Sequence, residues 1–226
     1  MKGKLYIVAT PIGNLEDITF RAVNILKKVP FILAEDTRET AKILSRYEIK
    51  TQLVSYRDQN HDRMFPKILE KLDMGLDLAL VSDCGTPLIS DPGYRLVAEL
   101  RKLGYEINPI PGPSALTAAV SVSGMPTDKF IFLGFLPKSE SKRKEILMRY
   151  GQLQPTLVIY ESPHRLLKLL EEISDALGNR EIFLARDISK KREEYVYEMV
   201  DSVIEDLQKK EKIFGEYVVL VRGNVK

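Results

Sequence analysis

The sequence predicts an α/β protein built as two α/β domains. Two patterns lead to this reading. Short, continuous apolar runs recur at the length of buried strands, and between them the apolar period changes to that of a helix. In addition, the loops that follow several of these runs are rich in glycine and proline, as expected where an open α/β sheet binds a ligand beyond the carboxyl ends of its strands.

In order along the chain, Leu5–Ala9 (LYIVA), Phe31–Ala34 (FILA) and Leu78–Val81 (LALV) read as buried strands, and a further strand runs through Glu106–Ile110. Ile18, Ala22, Ile25, Leu26 and Val29 fall on one face of a helix, as do Phe65, Ile68, Leu69 and Leu72, and then Leu96, Leu100 and Leu103. The alternation implies a largely parallel sheet with helices on both faces. Residues 121–129 combine small residues with Gly124 and Pro126 and read as a break, so the expected domains are 1–120 and 121–226. The second set comprises a strand at Phe130–Phe135, a charged helix across 139–150, a strand at Thr156–Tyr160 and a helix striped by Leu166, Leu169, Leu170, Ile173 and Leu177. Glu181–Ala185, Tyr195–Val200 and Glu216–Val221 are further strands, and their alternation predicts a mixed sheet.

Composition narrows the function classes. The 226 residues carry 34 basic and 32 acidic side chains, a net charge of +2, which excludes a polybasic nucleic-acid wrapper but not a local basic face. Apolar types make up 44% and charged types 29%, the mix of a globular chain that can form its own core. Cys84 is the only cysteine, so no internal disulfide forms and a cytoplasmic location is expected. With two histidines beside it, a structural zinc site is not expected, and no metal is assigned. The apolar run before Thr10 and Pro11 is too short for a signal peptide, and no stretch approaches the ~18 apolar residues of a membrane span.

Three glycine- and proline-rich loops follow strands of the first domain: Thr10–Asn14, Ser82–Gly93 and Pro111–Ala115. One such loop is ordinary turn chemistry, whereas three on the same sheet edge indicate a binding cleft. Neither GxGxxG nor GxxxxGK[ST] occurs, so a dinucleotide or triphosphate fingerprint is missing. Asp83, Asp91 and the hydroxyls of this region suit a small polar cofactor with hydroxyls, an amine or a sulfonium. Ala34–Arg38 (AEDTR) closes the second strand with Glu35, Asp36 and Arg38, and Asp36 or Thr37 can also serve as a helix N-cap. Glu161–Arg165 (ESPHR) ends a second-domain strand, with Ser162 and Pro163 placed to start a helix and His164 and Arg165 set against its dipole. Basic clusters at Lys138, Lys142, Arg143, Lys144 and Arg149, and at Arg186, Lys190, Lys191 and Arg192, are either solvated faces or phosphate contacts for a structured RNA.

These segments, TPIGNLEDIT, AEDTR, SDCGTPLISDPGY, PIPGPSA, FLGFLPK, YESPHRL, ARDISKKREE and GEYVVLV, occur in that order from Leu5 to Val221. Together they closely resemble the ribosomal small-subunit RNA (cytidine-2′-O-)-methyltransferase group of the tetrapyrrole methylase superfamily. The resemblance implies a tetrapyrrole methylase-like fold of two α/β domains with the cofactor cleft between them, S-adenosyl-L-methionine as cofactor, a homodimer, and methyl transfer to the ribose 2′-hydroxyl of a cytidine in the decoding region of 16S rRNA, free or within the 30S subunit. By position it implies cofactor contacts at Pro11, Asp83, Gly85, Thr86, Pro87, Leu88, Ile89, Ser90, Asp91, Ser114, Ala115, Tyr160 and Ala185. The AEDTR and YESPHR loops would face the substrate, with RNA contacts at Lys142, Arg143, Lys144, Arg165, Lys190 and Lys191. Cys84 stands where the group usually has alanine, and SYRDQN (55–60) where it has a histidine- and glutamate-bearing run.

In such a reaction the methyl must lie in line with the attacking oxygen, and a positioned base would take the hydroxyl proton. Glu35, Asp36, Glu161 and His164 are candidates for that base, with Arg38 and Arg165 holding phosphates or tuning the acids; solvent is an alternative acceptor. Two other readings are a methylase of the same superfamily acting on a small tetrapyrrole or a protein side chain, and a non-catalytic RNA-binding protein that has kept the fold.

Overall fold

The computed structural model describes residues 2–224. The chain divides into two compact units, Met1–Ser114 and Ala115–Lys226. The expected boundary at residue 120 falls inside a helix, because Ala115–Val122 packs its buried Ala119 among Met125, Val158 and Phe183 of the second unit.

The first unit holds five strands, β1 (Leu5–Val8), β2 (Phe31–Ala34), β3 (Gln52–Ser55), β4 (Leu78–Val81) and β5 (Ile107–Ile110), in the order β3-β2-β4-β1-β5. All four pairings are parallel. Between the strands run α1 (Phe20–Lys28), α2 (Thr37–Arg46), α3 (His61–Asp73) and α4 (Tyr94–Lys102). Strand residues pointing one way, among them Leu5, Leu33, Leu78 and Leu80, bury against Ile68 and Leu72 of α3 and Leu96 and Leu100 of α4. Those pointing the other way, Val8, Ile32, Ala79 and Val81, meet Ala22 and Leu26 of α1 and Leu44 of α2. The period-2 alternation of the pleat thus covers both faces of the sheet. Strand β3 was not expected from sequence; it is a short edge strand whose residues, QLVS, are half-buried at best.

The helix positions mark a candidate ligand edge. The adjacent strands β1 and β4 send their chains in opposite directions, since α1 lies on one face and α4 on the other. That is a topological switch point, where the loops beyond the carboxyl ends part and leave a crevice.

The second unit starts with α5 (Ala115–Val122) and continues with β6 (Phe130–Phe135), α6 (Glu140–Gly151), β7 (Thr156–Glu161), α7 (Pro163–Leu177), β8 (Glu181–Arg186), β9 (Glu194–Met199), α8 (Val200–Gln208) and β10 (Tyr217–Val221). Its sheet order is β6-β7-β10-β8-β9. Strands β6 and β7 pair in parallel, and β10 runs antiparallel between β7 and β8, so the sheet is mixed as the alternation suggested. Helices α6, α7 and α8 cover one face, and α5 packs on the other. The carboxyl ends of β6, β7 and β8 share one edge.

The expected RNA contact Arg143 is turned inward on α6. Its guanidinium donates to both carboxylate oxygens of Glu172 on α7 (2.7 and 2.5 Å) and to the carbonyls of Pro137 and Lys138. Both side chains of the pair are at most 6% exposed, so Arg143 fastens the loop after β6 and offers no face to a phosphate. Removing one member strands a buried charge, so R143M or E172L alone should lose about 3–5 kcal/mol in urea denaturation, whereas the double variant should recover much of that loss.

Candidate functional site

In the first unit the three glycine- and proline-rich loops are joined to one another. Thr10 N–H donates to Gly85 O (2.8 Å) and Gly85 N–H to Thr10 O (3.0 Å), an isolated antiparallel bridge just beyond β1 and β4. The Thr10 hydroxyl donates to Ser82 O (3.2 Å), and the Thr86 hydroxyl donates to Pro113 O (3.1 Å), which brings in the loop after β5. Gly85 has φ +81°, a left-handed conformation that glycine adopts without strain. A Cβ added there would also meet Ile12 Cγ2 at 3.4 Å.

Two non-glycine residues of the same loop take that conformation as well, Leu88 (φ 73°) and Ser90 (φ 67°). Each costs on the order of 1–3 kcal/mol, and residues strained in this way cluster where a loop is held for binding. Pro11 and Pro87 are buried, while Ile89 and Ser90 are exposed at the tip. Asp91 does not cap α4. Its N-cap is Gly93 (φ 122°), whose N–H donates to Asp58 Oδ1 (3.2 Å) from the loop after β3.

Carboxylates converge on this edge. Asp36 N–H donates to Asp83 Oδ1 (2.8 Å), tying the AEDTR loop to the loop after β4. Asp36 is also the N-cap of α2, accepting from Arg38 N–H, and the Arg38 guanidinium grips both of its oxygens (3.0 and 2.6 Å). That side-chain bond is the main reason the Asp36 carboxyl lies far below the usual range, and it supplies the partner for Arg38 that capping alone left open. Burial, followed by the Asp83 charge, raises Glu35. Burial also pushes Asp91 up to about 6, with a hydrogen bond to Ser82 opposing and the charges of Glu35 and Asp83 adding to the rise. Two carboxyls with raised pKa in a polar crevice mark it as a candidate functional site.

Sequence reasoning singled out SYRDQN (55–60) as a departure that could touch RNA, but assigned no role at this edge to Arg57 or Asp58. Arg57 Nε donates to Glu35 O (2.8 Å), and its Nη2 lies 3.9 Å from Asp36 Oδ2. Neither contact has a spacing rule, since one partner is a main-chain carbonyl 22 residues away.

In the second unit, Glu161 is buried; its Oε1 accepts from Ser162 N–H (2.7 Å) and its Oε2 lies 3.0 Å from Arg165 Nη2. Arg165 also donates to Leu136 O (2.8 Å), so both residues serve the local structure, while His164 is exposed. Tyr160 and Ala185 flank Val218 of β10 in register and belong to the same apolar cluster. Lys190 is held by Asp187 and Glu216 (3.0 and 2.7 Å), and Lys144 pairs with Glu140 (3.3 Å), whereas Lys142 and Lys191 are exposed. Among the described residues no cluster of histidine, cysteine, aspartate and glutamate could hold a metal.

Residues 4–203 match the family described as Tetrapyrrole (Corrin/Porphyrin) Methylases. The chain belongs to this family. Over 221 residues it is 47% identical to a Thermotoga maritima protein named ribosomal RNA small subunit methyltransferase I, covering 98% of this chain and 99% of the relative. A Halalkalibacterium halodurans protein of the same name is 44% identical over 223 residues, covering 99% of this chain and 77% of the relative. Among solved structures the fold is similar to that of cobalt precorrin-4 methyltransferase, a cobalamin biosynthetic enzyme (TM-score 0.68, 14% identity, 97% of this chain and 94% of that one). It is also similar to a conserved hypothetical protein of Aeropyrum pernix (TM-score 0.74, 16% identity, 100% and 86%).

The Asp91 shift gives a stability test. Its folded pKa exceeds the unfolded value near 3.9, so the folded state binds the extra proton and stability falls as pH rises from about 4 to about 6. Asp91→Asn should flatten this slope and be more stable than the parent at pH 7 by about 1–3 kcal/mol. Denaturation curves collected across that window test the sign.

Proposed function

We propose that the protein is an S-adenosyl-L-methionine-dependent methyltransferase that methylates the ribose 2′-hydroxyl of a cytidine in the decoding region of 16S rRNA. The observation that carries this reading is 47% identity, over 98% of the chain, to a relative named as a small-subunit rRNA methyltransferase. The resemblance of the AEDTR, SDCGTPLISDPGY and YESPHRL segments to the cytidine 2′-O group supports the finer assignment. Such a target places the enzyme in the cytoplasm. The resemblance also implies a homodimer, and the exposed Tyr195, Tyr197 and Met199 on edge strand β9 are apolar surface of the kind a partner subunit covers.

The crevice residues suit the cofactor. Asp83 and Asp91 offer carboxylates to a sulfonium, an amine or ribose hydroxyls, and the loop carrying Gly85, Leu88 and Ser90 is held in a conformation that few side chains tolerate. When bound, S-adenosyl-L-methionine supplies an electrophilic methyl that leaves a neutral thioether. The contribution of the chain is alignment and the fate of one proton. Glu35 is our choice as acceptor: it is half-buried at the carboxyl end of β2, and unlike Asp36 and Glu161 its carboxylate is not gripped by an arginine. RNA phosphates are assigned to the exposed Lys142 and Lys191.

Labelled S-adenosyl-L-methionine incubated with 30S subunits lacking ribose methylation should yield 2′-O-methylcytidine on digestion and mass spectrometry. An RNA that gains no label, from a protein that still binds S-adenosylhomocysteine, contradicts the substrate. Gly85→Val should abolish S-adenosylhomocysteine binding in calorimetry, and retained binding would remove that loop from the cofactor site. Changing Lys142 and Lys191 to glutamine should weaken 30S binding and flatten its salt dependence by roughly one unit of slope for each phosphate no longer neutralised.

A further inference from the structure

The loop after β3, Arg57–Asn60, touches the two loops assigned above to substrate and cofactor. Asn60 Oδ1 accepts from Arg57 N–H (3.0 Å) and Asn60 Nδ2 donates to Ser55 O (3.3 Å), so the loop closes on itself and fixes where Arg57 starts. From there Arg57 Nε reaches Glu35 O at 2.8 Å, its Nη2 lies 3.9 Å from Asp36 Oδ2, and Asp58 Oδ1 accepts from Gly93 N–H at 3.2 Å. One four-residue segment therefore holds the exit of β2 with one side chain and the start of α4 with the next.

We propose that Arg57 is a positioning residue for methyl transfer, anchoring the Glu35 main chain so that the Glu35 carboxylate is placed to accept the hydroxyl proton. The proposal rests on the functional reading above and adds to it a residue assigned no role there. In the reaction the O–H bond of the ribose breaks and its proton goes to Glu35. The oxygen's electron pair forms the O–CH3 bond, and the pair of the broken S–CH3 bond stays on sulfur. Glu35 must be unprotonated for this.

Its surroundings oppose that state. Asp36 on its own loop, Asp58 after β3, and Asp83 and Asp91 after β4 are all acidic groups whose charges act on it or respond to its own, and burial adds to their effect. Arg57 is the cation that lowers the Glu35 pKa against them. Arg38 is engaged bidentately by Asp36. Removing the Arg57 charge should therefore move the Glu35 midpoint upward, and the acid limb of the pH–rate profile should move upward with it. A lysine keeps the charge but cannot reproduce the planar guanidinium, with Nε on the carbonyl and Nη2 toward the carboxylate, so Arg57→Lys should rescue only part of the effect.

The test uses the full chain with 30S subunits, with S-adenosyl-L-methionine varied up to saturation. For Arg57→Gln, the acid limb should rise by about one pH unit, the scale of a missing neighbouring charge, so that kcat falls about tenfold at pH values below the parent's midpoint, with the KM for cofactor unchanged. Arg57→Lys should lie between this variant and the parent. Carbon-detected NMR titration of the Glu35 carboxyl, with no substrate present, should show the same upward midpoint shift and does not depend on turnover. An unchanged Glu35 midpoint in a folded Arg57→Gln protein overturns the proposal, as does a kcat loss with the acid limb in place. A parent protein that labels no RNA, while the NMR shift is still seen, overturns the functional reading and the catalytic part of the proposal but leaves the clamp intact.

Discussion

Two backbone hydrogen bonds between Thr10 and Gly85 join the chain leaving β1 to the chain leaving β4. The site depends on them because β1 and β4 are neighbours whose connections depart to opposite faces of the sheet. A switch point of this kind opens a crevice by topology alone, and its walls would be two independent loops unless something joined them. The bridge does so with main-chain groups, leaving the side chains of the loops available for a ligand. Thr86 extends the same device to the loop after β5 through Pro113 O. A long loop held at several points can keep Leu88 and Ser90 left-handed, a conformation that a free loop would relax.

Charge is the second constraint. The crevice gathers Glu35, Asp36, Asp83 and Asp91, which repel one another, and burial raises the pKa of Glu35 and Asp91. The structure answers with directed bonds: Asp83 accepts from Asp36 N–H, Arg38 closes on Asp36, and Arg57 approaches from the loop after β3. An acidic crevice suits a cationic methyl donor, and a carboxylate whose pKa is above the ordinary range is a better proton acceptor than one locked to an arginine. Asp36 and Glu35, adjacent in sequence, are driven in opposite directions by these environments.

Much of the fold was legible because burial on both faces writes continuous apolar runs: FILA and LALV match β2 and β4 residue for residue. Strand β3 was not legible, since an edge position asks little of its side chains and QLVS carries no strong pattern. The same holds for α8, whose Val200, Val203 and Leu207 stripe follows a strand without a break. At the site, the loops announced themselves through glycine and proline, but the side chains that join them did not. Arg57 acts on a carbonyl, and Asp58 on an amide 35 residues on, so neither leaves a local pattern. Arg143 shows the opposite error. In a run of lysines and arginines it reads as solvated, and only the packing of α6 on α7 reveals the buried carboxylate that it meets.

In the proposed reading, the stitched loops after β1, β4 and β5 form one cofactor platform. Amide hydrogen exchange of the full chain, with and without saturating S-adenosylhomocysteine, tests it directly. A single platform predicts added protection in residues 10–14, 82–93 and 111–115 together, including the Thr10 and Gly85 amides. Protection confined to one of these loops, or to none of them while the analogue is bound, would contradict it.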